Sequence, residues 1–139
     1  MDAPFQTEFS IYLADRPGEL AGFLEAAAAA GITFSAIAVA DSNGRGCVRL
    51  LGRPEERLRE LCESMVESGA GPVLESPVVV VPMATGQGFM REISTKLALA
   101  GVNVQYAYLA PPENGSPTRC VLRVDNPDAA LKAIESIAR

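Results

Sequence analysis

Few residues in this chain could do chemistry, and two turns hold most of them. There is no His, which removes the usual general base and the commonest zinc ligand. Cys47, Cys62 and Cys120 form no C-x-x-C pair and are expected to be buried, reduced thiols, so no metal and no cofactor is predicted. No nucleophile–base pair is visible. What remains is Asp15-Arg16-Pro17-Gly18, leading into Glu19-Leu20, and Thr85-Gly86-Gln87-Gly88, leading into Phe89-Met90. A glycine-bearing turn before a helix offers backbone N–H groups at the positive end of the helix dipole, which suits a carboxylate. Glu19 would compete with an incoming anion. The second turn brings no acid before Glu92, and Gly86 and Gly88 allow close approach, so it is the better seat. Asn103 or Asp15 could accept hydrogen bonds from an amino group, with Phe89, Met90 or Tyr106 lining an apolar pocket.

Each of these features also has a purely structural reading. Asp15 could simply cap a helix. Tyr106 and Tyr108 share a strand face and are expected to pack on a helix or a neighbouring subunit. Arg119 and Arg123 are expected on a solvated strand face. Gly86-Gln87-Gly88 has the look of a dinucleotide loop, but Arg91 stands at the third glycine position.

The elements that must hold these turns alternate between two periods. Phe5, Thr7, Phe9, Ile11 and Leu13 mark one strand face. Leu20, Phe23, Leu24 and Ala27 mark a helix stopped by Gly31, and a strand follows. Asn43-Gly44 signals a hairpin into a strand at Cys47–Leu51. Pro54 opens a second helix with Leu58, Leu61, Cys62, Met65 and Val66 inward and its Glu and Arg residues outward. An apolar stretch then runs from Pro72 to Met83, and the order repeats. Gly31-Ile32 recurs as Gly101-Val102, 70 positions on. After the hairpins the spacing reads as 73, taking Cys47-Val48 to Cys120-Val121 and Pro54 to Pro127, with three extra residues between strands at 111–117.

The predicted fold is therefore α+β: two ferredoxin-like βαββαβ units in tandem, residues 1–76 and 77–139, with antiparallel sheets and helices on one face. The second unit lacks its last strand. The continuous strand, the N-terminal segment or a second subunit is expected to fill that edge.

Composition narrows the function classes. The 139 residues are 48% hydrophobic and 21% charged, with a formal net charge of −5. The acidic balance disfavours nucleic acid, and no run is long enough to cross a bilayer, so no nucleic-acid or membrane partner is expected. Met1-Asp2-Ala3-Pro4 carries no secretory pattern and the Cys count is odd; a cytoplasmic location is expected.

The turn Asp15-Arg16-Pro17-Gly18-Glu19-Leu20, followed by Gly31-Ile32 at a strand start, resembles the ACT domain family. The second unit departs in the turn but keeps Gly101-Val102-Asn103-Val104, while the first has Thr33 where Asn is usual. The resemblance covers nearly the whole chain. It implies a non-catalytic regulatory module binding a small effector, most often an amino acid, at an interface between paired units. A homodimer and a regulated metabolic enzyme or regulator are the implied partners. Asp15, Arg16, Pro17, Gly18, Glu19, Leu20, Gly86, Gln87, Gly88, Phe89 and Met90 then become candidate ligand-loop residues, with Thr33 and Asn103 as contacts. The alternatives are a protein-interaction module without a ligand and a small ferredoxin-like hydrolase, in which Arg16 holds an anion and Asn103 orients a water.

Overall fold

The computed structural model describes residues 5–83, 88–113, 115 and 117–136. The elements follow as β1 (Phe5–Ala14), α1 (Glu19–Ala29), β2 (Thr33–Ser42), β3 (Arg45–Arg53), α2 (Glu55–Glu67), β4 (Val73–Pro82), α3 (Phe89–Leu99), β5 (Val104–Ala110), β6 (Arg119–Val124) and α4 (Pro127–Glu135). Two units emerge, Thr7–Ser76 and Pro77–Arg139, the latter joined by Met1–Gln6.

In the first unit the strand order is β2-β3-β1-β4. β3 runs antiparallel to both β1 and β2, so β1 and β2 are parallel to each other. Asn43 and Gly44, at φ 52 and 81, make the tight hairpin between β2 and β3, as a two-residue turn of this hand requires. On β1's other side, the Tyr12 N–H donates to the Pro72 carbonyl at 3.1 Å. Phe9, Ile11, Leu13, Val48 and Leu50 pack under Phe23 and Ala27 of α1 and Leu58 and Cys62 of α2. Val66, expected on the inward stripe of α2, is instead 48% exposed. β1 is also buried on its second face, where Glu8 and Ser10 are covered. There Ser10 Oγ accepts from Arg49 Nη1 at 3.0 Å, which satisfies a polar group that burial would otherwise penalise.

In the second unit the order is β4-β6-β5, antiparallel, with Val79 opposite Leu122 and Tyr108 opposite Val121. Its core sets Val79, Val81, Cys120, Leu122 and Val124 under Ile93 and Leu97 of α3 and Ala130 and Ile134 of α4. β1 neighbours β4, and Phe5 and Gln6 group with this unit, so the start of β1 occupies the edge that would otherwise be open.

The repeat is visible bond by bond. α1 ends through Gly31 and α3 through Gly101, both at φ 74. The Ile32 N–H donates to Ala27 O at 3.0 Å, and the Val102 N–H to Leu97 O at 2.9 Å. The β2–β3 ladder is irregular between Phe34 and Ala36, and the β5–β6 ladder between Val104 and Tyr106, again 70 positions on.

After the hairpins the spacing is 72, not 73. Ile11 faces Val48 where Val81 faces Cys120. Buried Leu58 and Cys62 of α2 recur as buried Ala130 and Ile134 of α4. Cys120 therefore takes the core place of Val48, and Arg119 takes the place of Cys47. The two Cys-Val pairs look equivalent in sequence, but a one-residue slip on a strand exchanges its faces, and core burial decides the register. Arg119 is accordingly not on a solvated face: it is 3% exposed, and its Nη2 donates to Pro111 O at 3.0 Å. Volumes trade between the cores. Ala27 and Leu58 in the first correspond to Leu97 and Ala130 in the second, a large-for-small exchange of the kind that keeps a core filled.

Candidate functional site

Both turns singled out in the sequence deliver the chain to a helix through a left-handed glycine. Gly18 precedes α1 at φ 90, ψ −13, and Gly88 precedes α3 at φ 95, ψ −2. Among the described residues neither helix start receives a side-chain cap bond, and exposed Asp15 does not cap α1. The orphan N–H groups of a helix start are thus left for other acceptors.

The two starts differ in charge. At α1, Arg16 Nη2 donates to Glu19 Oε2 at 3.0 Å, and the Glu19 N–H donates to Arg16 O at 3.3 Å. Pro17 and Gly18 are exposed, while Leu20 is half-buried against the first core. Space above Gly18 is open: a Cβ there would meet nothing within 4 Å. At α3, a Cβ on Gly88 would lie 3.4 Å from Arg91 Nη2, so the guanidinium stands beside the helix start. Among the described residues no carboxylate pairs with Arg91, and the first acid of the helix is Glu92. Phe89 packs on the second core. Met90 is 39% exposed, and its Sδ lies 3.8 Å from Cys120 Sγ. Leu109, opposite Cys120 across the β5–β6 ladder, is 53% exposed. Met90, Cys120 and Leu109 thus form a short apolar strip beginning at the first turn of α3. Thr85, Gly86 and Gln87 lie outside the described residues.

Thr33 and Asn103 are not beside the loops of their own units. Thr33 opens β2 opposite Arg53, whereas Ala14, just before the Asp15 turn, is opposite Arg45. At about 3.3 Å per residue along β3, that separation is about 26 Å. In the second unit, Pro82 pairs with Arg119, but Asn103 stands at the far end of β6. There its N–H donates to Asp125 Oδ1 at 3.0 Å and its carbonyl accepts from the Asp125 N–H at 3.2 Å. Half-buried Tyr106 sits opposite Arg123, whose Nε donates to Gln105 Oε1 at 3.0 Å.

One cavity, of about 520 Å³, lies between α2 and the start of β4, where the sequence pointed to nothing. Arg59, Cys62, Glu63, Val66, Val73 and Glu75 are among its walls. Arg59 grips Glu75 with two bonds, at 2.8 and 2.7 Å. This holds the Glu75 carboxyl below the usual carboxylate range, against a smaller opposing effect of burial. The stabilisation is present near neutral pH and is lost as pH falls through that lowered pKa. Burial pushes the Cys62 thiol up to about 11, and does the same to Cys120, so neither is a ready nucleophile at neutral pH. Among the described residues no three His, Cys, Asp or Glu side chains are placed to hold a metal ion. Among those residues, too, no helix is long and apolar enough to cross a membrane.

No protein-family model matches the sequence. No curated protein matches it either. Solved structures do. A protein of Bacteroides thetaiotaomicron is 21% identical with a TM-score of 0.79, covering 97% of this chain and 90% of that one. The ligand-free regulatory subunit of aspartate kinase from Thermus thermophilus is 17% identical at TM-score 0.67, covering 96% of this chain and 93% of that subunit. The fold is that of tandem ACT units. The aspartate kinase of Clostridium acetobutylicum, described as an allosteric enzyme, is similar to 97% of this chain over 33% of its own length, at 18% identity and TM-score 0.58. The same ACT arrangement thus occurs in a separate regulatory subunit and within a longer enzyme chain.

Proposed function

We propose that this chain is a non-catalytic regulatory module that binds a free amino acid by its α-carboxylate at the start of α3. The observation that carries the reading is the Arg91 guanidinium, held beside left-handed Gly88 with no carboxylate of its own among the described residues. A carboxylate there would meet a cation and the positive end of a helix at once. The near end-to-end likeness to the regulatory subunit of aspartate kinase from Thermus thermophilus supports the regulatory role. The apolar strip of Met90 and Leu109 offers cover for the ligand's side chain.

Signalling in this reading is a population shift: the ligand favours one packing of paired units, and a metabolic enzyme or regulator reads the change. Asn103 and Thr33 are remote from the loops of their own units, so in this reading a partner unit brings them to a ligand site, and the working form is taken to be a homodimer. Three buried free thiols suit a cytoplasmic location.

Thermal unfolding against a panel of free amino acids tests the reading. At about 100 times Kd the bound ligand adds about 2.7 kcal/mol of stability. If no amino acid in the millimolar range raises the melting temperature, the proposal fails.

A further inference from the structure

The cavity beside α2 belongs to neither helix start, and its walls carry a consistent chemistry. Glu60, Glu63 and Glu67 line it from α2 and Glu75 lines it from β4, with Arg59 as the single cation. Arg59 is already spent on Glu75 and lies within 4 Å of Glu55 and Glu56. Among the described residues, Glu60, Glu63 and Glu67 have no cationic partner. The remaining walls are Cys62, Ser64, Val66 and Val73, of which Val66 is 48% exposed and Val73 half-buried; neighbouring Leu74 is 52% exposed.

We propose that this groove is a protein-docking surface and that its occupant is a basic segment of a partner protein in which Lys or Arg alternates with aliphatic residues. The charge selects the occupant. A second copy of this chain meeting the groove by the same face would set Glu against Glu, an isologous contact that like-charge repulsion opposes. Nucleic acid and anionic lipid are repelled for the same reason. A Lys or Arg side chain fits both halves of the wall: its methylene stem covers Val66 and Val73 while its head reaches the carboxylates. A volume of about 520 Å³ is ample for such side chains, and flanking Leu74 adds apolar area for the aliphatic residues between them. The proposal is independent of the amino-acid site, since no wall of the groove belongs to α3.

Fluorescence anisotropy of the intact protein with a labelled peptide alternating Lys and Leu tests it. A peptide with Glu in place of Lys serves as the control. The basic peptide should bind saturably, less tightly as salt rises. The Glu63→Gln/Glu67→Gln variant should weaken it about tenfold or more, while exposed Glu25→Gln on α1 leaves it unchanged. Both variants should keep the wild-type melting temperature, because all three glutamates are exposed. Absence of saturable binding, equal binding of the acidic peptide, or an unchanged affinity in the double variant would overturn the proposal. So would spermine binding at the groove while the peptide does not.

Discussion

The starts of α1 and α3 are the same backbone device carrying opposite charge arrangements. Each begins at a left-handed glycine, 70 positions apart, and each ends through a left-handed glycine at the same spacing. Yet Glu19 and Phe89 occupy the same position in the repeat. At α1 an internal carboxylate pairs with Arg16 and sits at the positive end of the dipole, so the chain supplies its own anion. At α3 the cation is present and the internal carboxylate is replaced by a core-packed ring. The two helix starts share the geometry, and only the first carries an internal competitor. In the proposed reading, this difference is the reason for assigning the external carboxylate to the second unit.

The largest expected effect comes from removing that cation. Arg91→Gln should cost about 1.5–3 kcal/mol of ligand affinity, the range for a hydrogen bond to a charged group. Calorimetric titration with whichever amino acid stabilises the protein reads this directly. Arg16→Gln should leave the affinity unchanged, because its partner is Glu19. If Arg16→Gln weakens binding as much as Arg91→Gln, the two helix starts are equivalent and the distinction drawn between them is wrong.

A smaller effect is expected on stability, equally at both starts. Gly18→Ala and Gly88→Ala each place a Cβ on backbone with φ near 90, a strain of about 1–2 kcal/mol. The Cβ meets open space at Gly18 and only the tip of Arg91 at Gly88, so neither variant adds a hard clash. Chemical denaturation should give similar losses for the two, with ligand affinity falling only for Gly88→Ala. A large loss at one site alone would mean that the two turns are not the same device.

Much of this was legible in the sequence because it rests on local chemistry. The alternation of β1, the apolar stripe of α1, the Asn43-Gly44 hairpin and the Gly31/Gly101 helix ends are set within a few residues of themselves. Three features were not local. Register after the hairpins depends on which face of β6 meets the helices, and the matching Cys-Val pairs pointed to a spacing one residue too long. Thr33 follows α1 closely in sequence, yet β1 and β2 are parallel, so the crossover carries it to the opposite end of the sheet from Asp15. The cavity arises from α2 facing β4. Its glutamates read as an ordinary solvated helix face because nothing in the local pattern reports Arg59 reaching across to Glu75.

The smallest effect is the most direct conversion of one helix start into the other. Glu19→Gln removes the internal anion from α1 and leaves Arg16 beside an uncompensated helix start, as Arg91 is beside α3. The lost pair is exposed, at 70% for the Arg16 side chain and 36% for Glu19, so solvent screening holds its worth to a few tenths of a kcal/mol. The dipole contribution of Glu19 in the first turn adds a similar amount, for a total near ~0.5 kcal/mol. Denaturation at low salt should show that loss, and raising the salt should erase most of it, because both contributions are screened. Ligand affinity should not change, since the proposed seat is at α3. An increase in stability would mean that Glu19 is an unfavourable charge in the native fold. That result would remove the reason for calling α1 self-neutralised, and with it the basis for assigning the carboxylate to α3 alone.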